Sequence, residues 1–281
     1  MISGKAKLAG VMGWPVQHSQ SPRLHGYWLD QYGIDGAYVP LPVRPEDFES
    51  AFRALPKLGF SGVNITVPHK QTALELVDIV DPPAQQIGAV NTVAVSEDGN
   101  LIGYNTDGFG FLENLVQGSP DFNPTAGPAV VLGAGGAARA VVCSLIDAGV
   151  PDLRLVNRTR DRAEVLADSA HGPVNVYDFS SIDEALDGAN LLVNTTALGM
   201  EGNPSLAIGL DALPVRALVN DIVYAPLQTE LLKAAATRGN PVVDGLGMLL
   251  HQARAGFEKW FGVMPDVTDD LRAHILKGMN G

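Results

Sequence analysis

The chain has 281 residues, 46% hydrophobic, 6% aromatic and 18% charged, with 31 Gly and 19 Pro. That length favours two modest domains over one, and so much apolar surface excludes wholesale disorder. The net charge of −12 is spread without runs, which argues against a nucleic-acid partner because a phosphate-backbone binder needs a basic face.

Short apolar runs alternate with helical patterns. Strands are predicted at Leu8–Met12, Ala37–Val43 and Gly62–Thr66, and helices at Ser21–Gln31, Pro45–Leu55 and Pro68–Leu76. The last is read as opened by proline in its first turn. Thr92–Val95 and Leu101–Tyr104 flank Glu97-Asp98-Gly99-Asn100, a hairpin turn. The turn formers of Gln117–Gly127 mark a boundary. Beyond it, strands are predicted at Pro128–Leu132, Leu153–Asn157, Ala189–Asn194, Ala217–Asp221 and Pro241–Val243. Helices are predicted at Ala137–Ala148, Arg160–Ser169, Leu227–Thr237, Met248–Phe261 and Asp269–Lys277. Strands separated by helices imply an α/β fold with parallel sheets covered on both faces.

VVLGAGGAAR (130–139) follows an apolar strand and opens a helix. It sets GxGxxA at Gly133, Gly135 and Ala138: one glycine for the tight turn, one for close backbone approach to a pyrophosphate, and a small residue for helix–sheet packing. Free helix N–H groups supply the anion site. An NAD site carries an acid at the end of the next strand. Here stands Asn157-Arg158-Thr159-Arg160-Asp161-Arg162, without the acid and with three arginines. Guanidinium forks suit a 2′-phosphate, so NADP(H) is the expected cofactor, with Arg158 and Arg162 favoured. Asn194-Thr195-Thr196 ends another strand, where ligands of doubly wound sheets bind.

In the first half, Ser19 and Ser21 precede a helix, where they could hold a carboxylate or simply cap the helix. Asn64, Thr66, Lys70, Asn91, Asn105 and Asp107 fall at strand ends and loops. One lysine, one aspartate, amides and hydroxyls suit a polyhydroxylated carboxylic acid. A lysine near an aspartate can give and recover the proton of carbonyl reduction. Cys143 is the single cysteine; it can form no internal disulfide and reads as buried packing. No HxH, HExxH or CxxC spacing occurs, so no metal is expected. His69 is tempting as a base beside Lys70 but is read as pointing away.

Taken together these motifs resemble the shikimate dehydrogenases over nearly the whole chain. SxSPxxH stands at 19–25, N[VI]TxPxK at 64–70, GAVNT at 88–92, NTDxxG at 105–110 and GAGGA at 133–137. NRT follows at 157–159, NTTxxGM at 194–200, DxxYxPxxTxLL at 221–232 and GxxMLxxQ at 245–252. The resemblance implies NADPH-dependent, reversible reduction of 3-dehydroshikimate to shikimate in aromatic amino acid (chorismate) biosynthesis. Ser19 and Ser21 would hold the substrate carboxylate. Thr66, Asn91, Asp107 and Gln252 would bind ring hydroxyls, with Asn64 nearby and Tyr224 beside the substrate. Lys70 would transfer the proton, paired with Asp107. Gly133, Ala134, Gly135, Gly136 and Ala137 would carry the pyrophosphate, and Asn157, Arg158, Thr159, Arg160, Asp161 and Arg162 the adenosine phosphate. Thr195, Ile222, Gly245 and Met248 would flank the nicotinamide.

The implied architecture is an N-terminal β/α substrate domain with a mainly parallel sheet, plus a Rossmann-like NADP-binding domain, with a crevice between them. The substrate domain would be discontinuous, 1–108 plus 246–281, and the NADP domain 109–245. The family's frequent Asn after SxSPxxH is Gly26 here, its frequent acid twelve residues after the lysine is Pro82, and the loop Glu201–Gly209 carries no signature. A quinate/shikimate dehydrogenase of broader specificity and a non-catalytic NADP-binding paralogue stay open as alternatives. Only small-molecule partners are expected, as monomer or homodimer. With no signal-peptide core and no ~20-residue apolar span, the expected location is cytoplasmic.

Overall fold

The computed structural model describes residues 2–279. The chain divides into two compact units: residues up to Thr106 together with those from Leu250 on, and Asp107–Leu249.

In the first unit run β1 (Lys7–Gly13), α1 (Ser21–Gln31), β2 (Gly36–Pro42), a 3₁₀ turn at Pro45–Asp47, α2 (Phe48–Ala54), β3 (Phe60–Ile65), α3 (Lys70–Leu76), β4 (Ile79–Val80), α4 (Pro82–Ile87), β5 (Thr92–Val95) and β6 (Leu101–Tyr104). They form one sheet in the order β2-β1-β3-β5-β6-β4. β1 pairs in parallel with β2 and β3, whereas the β5–β6 hairpin is antiparallel, also against β3. One face packs Phe48, Phe52, Leu55, Ala73 and Ala84 against Met12, Val63, Ile65 and Val93. An aromatic group supplies further buried surface. Trp28 of α1 meets Phe257 at 5.4 Å between ring centroids, and the Trp260 indole donates to the Val93 carbonyl at 2.8 Å. Edge and offset ring contacts of this kind add to what area burial alone contributes.

The second unit runs through α5 (Asp107–Gly118), β7 (Ala129–Leu132), α6 (Gly136–Asp147), β8 (Leu153–Val156), α7 (Arg160–Ser169), β9 (Val174–Tyr177), α8 (Ile182–Leu186), β10 (Leu191–Asn194), β11 (Leu218–Asp221), α9 (Glu230–Arg238) and β12 (Val242–Val243). Its sheet is wholly parallel in the order β12-β11-β10-β7-β8-β9. Counted from β7 this is the order of a dinucleotide-binding Rossmann sheet, with its switch point between β7 and β10. Strand β7 shows why its run is apolar throughout. Ala129 and Val131 pack into one cluster with α5 and α6, while Val130 and Leu132 pack into another with Leu186 and Leu232. The chain returns to the first unit within α10 (Leu246–Phe261) and ends its described part in α11 (Asp269–Met279).

Several predicted bounds shift. The helix expected from Pro68 begins at Lys70, because Thr66–His69 is a turn closed by the His69 N–H on the Thr66 carbonyl at 3.0 Å. Asp107–Gly118, for which no element is predicted, is helical: Gly108 is a close-packing position where an added Cβ would lie 3.1 Å from Ser144 Cβ and 3.2 Å from the Ala140 carbonyl of α6. β4, α4, β9 and α8 have no counterpart among the predicted elements; all are short or half-exposed.

Candidate active site

The first unit concentrates polar side chains where β3 ends, β5 begins and β6 ends. Asn64, Asn91, Thr92 and Thr106 are all buried there. Asn64 Nδ2 donates to the Asn91 backbone carbonyl at 3.2 Å, which places its Oδ1 on the opposite side, where it accepts from the Tyr38 hydroxyl at 2.7 Å. The second Asn64 N–H reaches Thr92 Oγ1 at 3.1 Å, so that hydroxyl donates onward to Asn91 Oδ1 at 2.9 Å. The Thr106 backbone N–H also donates to Asn91 Oδ1, at 2.9 Å. Asn91 Nδ2 therefore faces Thr106 Oγ1 at 3.2 Å, and that hydroxyl points to Gln252 Oε1 at 3.4 Å. Two backbone groups, one acceptor and one donor, thus orient a one-way chain from Tyr38 to Thr106, whose hydroxyl also lies 3.3 Å from Asn91 Oδ1 and from Thr92 Oγ1. Both N–H groups of Asn64 are consumed, so toward a ligand Asn64 can only accept.

Lys70 opens α3, and its carbonyl accepts the Val90 N–H at 2.9 Å, which ties it to the segment that carries Asn91. Thr66 follows β3, with its N–H on the Met12 carbonyl at 3.0 Å. Ser21 is the first residue of α1; the cap position is Gln20, without a side-chain cap bond. Ser19 Oγ accepts the Ser21 N–H at 3.3 Å, so the two serines lie together at this helix start. His69 is buried, stacked on Phe48 at 4.1 Å with Nε2 on the Val43 carbonyl at 2.8 Å, an arrangement for packing rather than proton transfer. His25 is fully buried against Tyr38 at 4.0 Å with neither ring nitrogen hydrogen-bonded, and burial lowers its pKa to about 3.

In the second unit, Gly133 follows β7 with φ +107°, a conformation L side chains rarely adopt. An added Cβ would lie 2.8 Å from Thr195 Oγ1 and 3.0 Å from Thr196 Cγ2. Its N–H is spent on the Val156 carbonyl at 2.8 Å. The next residues differ: Gly135 and Gly136 are exposed, and a Cβ on either would meet nothing within 4 Å. The backbone of Ala134, Gly135, Gly136 and Ala137 therefore borders open space at the N-terminus of α6, whose first-turn N–H groups have no helical acceptor. These residues fit a dinucleotide pyrophosphate. Behind them Ala138 is fully buried, as close helix–sheet packing demands, and so is Cys143, whose thiol burial pushes up.

At the end of β8, Asn157 Nδ2 donates to the Thr159 carbonyl at 2.7 Å and shapes its own loop. Arg160 is held by Glu164 at 2.8 Å and Asp178 at 3.0 Å. Arg158 and Arg162 are exposed and make no ion pair among the described residues; Asp161 lies in the first turn of α7. The two arginines without a carboxylate partner are the pair suited to a phosphate. Thr195 Oγ1 donates to the Leu132 carbonyl at 2.7 Å. Gly245 lies against Ile222, where a Cβ would be 2.2 Å from the carbonyl oxygen. Met248 is buried in the core with Phe111 and Val141. Tyr224 is half-buried, and burial raises its phenol pKa. Asp107, the residue after Thr106, opens α5. Among the described residues no three His, Cys, Asp or Glu side chains group as a metal site.

Known proteins resemble this chain in sequence and fold. The model of the shikimate dehydrogenase substrate binding domain matches residues 11–93, that of shikimate / quinate 5-dehydrogenase residues 122–200, and that of the shikimate 5′-dehydrogenase C-terminal domain residues 245–273. Over 275 residues the chain is 62% identical to the shikimate dehydrogenase (NADP(+)) of Paramagnetospirillum magneticum, covering 98% of this chain and 100% of that one. The chain belongs to the shikimate dehydrogenase family. Among solved structures, shikimate 5-dehydrogenase from Thermus thermophilus in complex with NADP(H) and shikimate is 37% identical, with a TM-score of 0.84 and 98% of each chain covered. Quinate dehydrogenase from Corynebacterium glutamicum in complex with NAD is 34% identical, with a TM-score of 0.90, 97% of this chain and 99% of that one. For a shikimate dehydrogenase, the residues that motif reading missed are the ones behind the site. Tyr38, Thr92 and Thr106 hold the amides, and Asp221 and Thr229 hold loops of the second unit. Asp221, Thr229, Thr92 and Thr106 stood inside quoted motifs without a role; Tyr38 read as an ordinary strand residue.

Proposed function

We propose that this shikimate dehydrogenase family member reduces 3-dehydroshikimate reversibly to shikimate, with NADPH as hydride donor. The observation that carries the reading is the fixed set of amides and hydroxyls at the ends of β3, β5 and β6, to whose segment the Lys70 carbonyl is tied through the Val90 N–H, in a chain that aligns end to end with an NADP-dependent relative. When bound along 133–137 and 157–162, with Thr195, Ile222, Gly245 and Met248 toward the nicotinamide, NADPH supplies the hydride. Ser19 and Ser21 anchor the substrate carboxylate, and Thr66, Asn91 and Gln252 orient the ring hydroxyls; Tyr224 is a further substrate-binding residue. Asn64 keeps Asn91 and Thr92 in place and accepts at most one further hydrogen bond. Lys70 Nζ, as ammonium, delivers a proton to the oxygen that becomes the alcohol, with Asp107 as the carboxylate of the acid–base pair. Pre-set donors cost no reorganisation when charge develops on that oxygen. The charge of −12 and the single buried cysteine support a cytoplasmic setting and small-molecule partners.

The test follows NADPH absorbance with 3-dehydroshikimate, then the reverse reaction with shikimate and quinate under NADP⁺ and NAD⁺. Turnover of shikimate with NADP⁺ and little of quinate is expected. Comparable quinate turnover, or preference for NAD⁺, replaces this reading by a broad-specificity quinate/shikimate dehydrogenase. NADPH binding without any turnover would leave a cofactor-binding paralogue.

A further inference from the structure

At the carboxyl ends of β10 and β11 the parallel register sets Asn194 beside Asp221, and both are fully buried. The Asp221 carboxylate accepts three hydrogen bonds. Oδ1 takes Asn194 Nδ2 and the Val223 N–H, each at 3.0 Å, and Oδ2 takes the Thr229 hydroxyl at 2.7 Å. All three donors are neutral, and no ion pair with Asp221 forms among the described residues. Burial raises the Asp221 pKa, and the three hydrogen bonds pull the other way. A carboxylate buried without a cation lowers stability relative to an apolar or neutral side chain, so its presence calls for a different explanation.

The three donors come from three segments. Asn194 also donates to the Leu198 carbonyl at 3.1 Å, and its Oδ1 accepts the Thr196 N–H at 3.0 Å and hydroxyl at 2.8 Å, which fixes the loop that begins with Thr195. Val223 belongs to the loop that begins with Ile222. Thr229 caps α9 and closes that loop from its far end. Gly245, with its alpha carbon against the Ile222 carbonyl, blocks retreat of that backbone from the other side. One acceptor-only group therefore sets the positions of Thr195 and Ile222 together.

We propose that Asp221 and Thr229 are positioning residues for the nicotinamide end of the cofactor, acting through Thr195 and Ile222. This rests on the reading above that those two residues flank the nicotinamide. An asparagine at 221 must present an amide toward Thr229, and a valine at 229 leaves one carboxylate oxygen without its donor.

The experiment is calorimetric titration of the apo protein with NADPH and, separately, with 2′,5′-ADP, which keeps the adenosine phosphates and lacks the nicotinamide. Asp221→Asn and Thr229→Val are expected to weaken NADPH about tenfold, the scale of one lost hydrogen bond to a charged group, and to leave 2′,5′-ADP unchanged. Thr229→Ser, which keeps the hydroxyl, should restore NADPH binding. Thermal unfolding of each variant identifies any that fail to fold, and Thr229→Ser against Thr229→Val keeps the test decisive in that case. Wild-type NADPH affinity in the Asn and Val variants overturns the proposal. So does an equal loss of 2′,5′-ADP, which would make the network a support of the whole unit. A wild-type protein that binds NADPH no better than 2′,5′-ADP would instead overturn the reading of the nicotinamide site on which the proposal stands.

Discussion

The two units present opposite kinds of surface. In the first, polar side chains make up the candidate site. Amides and hydroxyls are locked one behind another from Tyr38 to Thr106, with the donor direction set as far as Asn91. In the second, the loop proposed for the pyrophosphate consists of backbone and of space where side chains are missing, at Gly135 and Gly136. The difference matches the ligands. A ring bearing several hydroxyls is distinguished by where donors and acceptors stand, which only side chains can vary. A pyrophosphate is the same in every dinucleotide and needs N–H groups at close range.

The strongest way to test the side-chain half is Lys70→Ala. Removal of the proton donor should lower kcat by ~10²–10⁴-fold while KM for the substrate changes little; steady-state kinetics retaining wild-type kcat would remove Lys70 from the mechanism. Acid separates the units next. His25 titrates near 6.5 in the unfolded chain and near 3 when folded, so in that window the unfolded state holds the extra proton. Stability conferred by the first unit is therefore intact above pH 6.5 and declines as the pH falls toward 3. The buried carboxyl of the second unit has the opposite sign: with its folded pKa raised, Asp221 favours the fold as pH falls. Hydrogen exchange against pH should show the first unit opening first, and His25→Phe should flatten that response.

Cofactor choice is the next test, because here the second unit does use side chains. Arg158→Ala should weaken NADPH about 10–100-fold, as for a lost charge-assisted hydrogen bond, and spare NADH; Arg160→Ala, already paired with Glu164 and Asp178, should have the smaller effect. Equal losses for both cofactors would make Arg158 a structural residue. The smallest effect sharpens the backbone argument. Gly135→Ala fills open space, so melting should be unchanged while NADPH binding falls roughly tenfold, the scale of an overpacking cost of ~1–3 kcal/mol. Gly133→Ala, strained at φ +107° and crowded by Thr195, should lower both. A Gly135→Ala protein that binds NADPH normally would refute the cradle.

How much of this was legible in sequence follows the same division. The glycine loop and the arginine cluster are local, so motif and spacing place them, and α1 and α7 have the predicted bounds. The directional chain of the first unit is not local. Asn64 and Thr92 lie 28 positions apart, and Tyr38 lies 26 before Asn64. Only strand register brings them together, and one sequence does not print register. α5 was not predicted for a related reason: Gly108, which lets two helices approach, has the same letter as a glycine that makes a turn. β4, α4, β9 and α8 were missed because short, half-exposed segments bury too little apolar surface to show a period.

The one-way polarity of the chain that starts at Tyr38 also bears on how this protein can change over evolutionary time. Each inner member, Asn64, Thr92 and Asn91, is both donor and acceptor for its neighbours, so a single replacement there strands a buried partner on either side. New substrate preferences built on Asn64, Thr92, Asn91 or Thr106 should therefore arise in coordinated pairs. Double-mutant cycles along the chain should show strong epistasis, and the same replacements combined with changes at the arginine cluster should simply add.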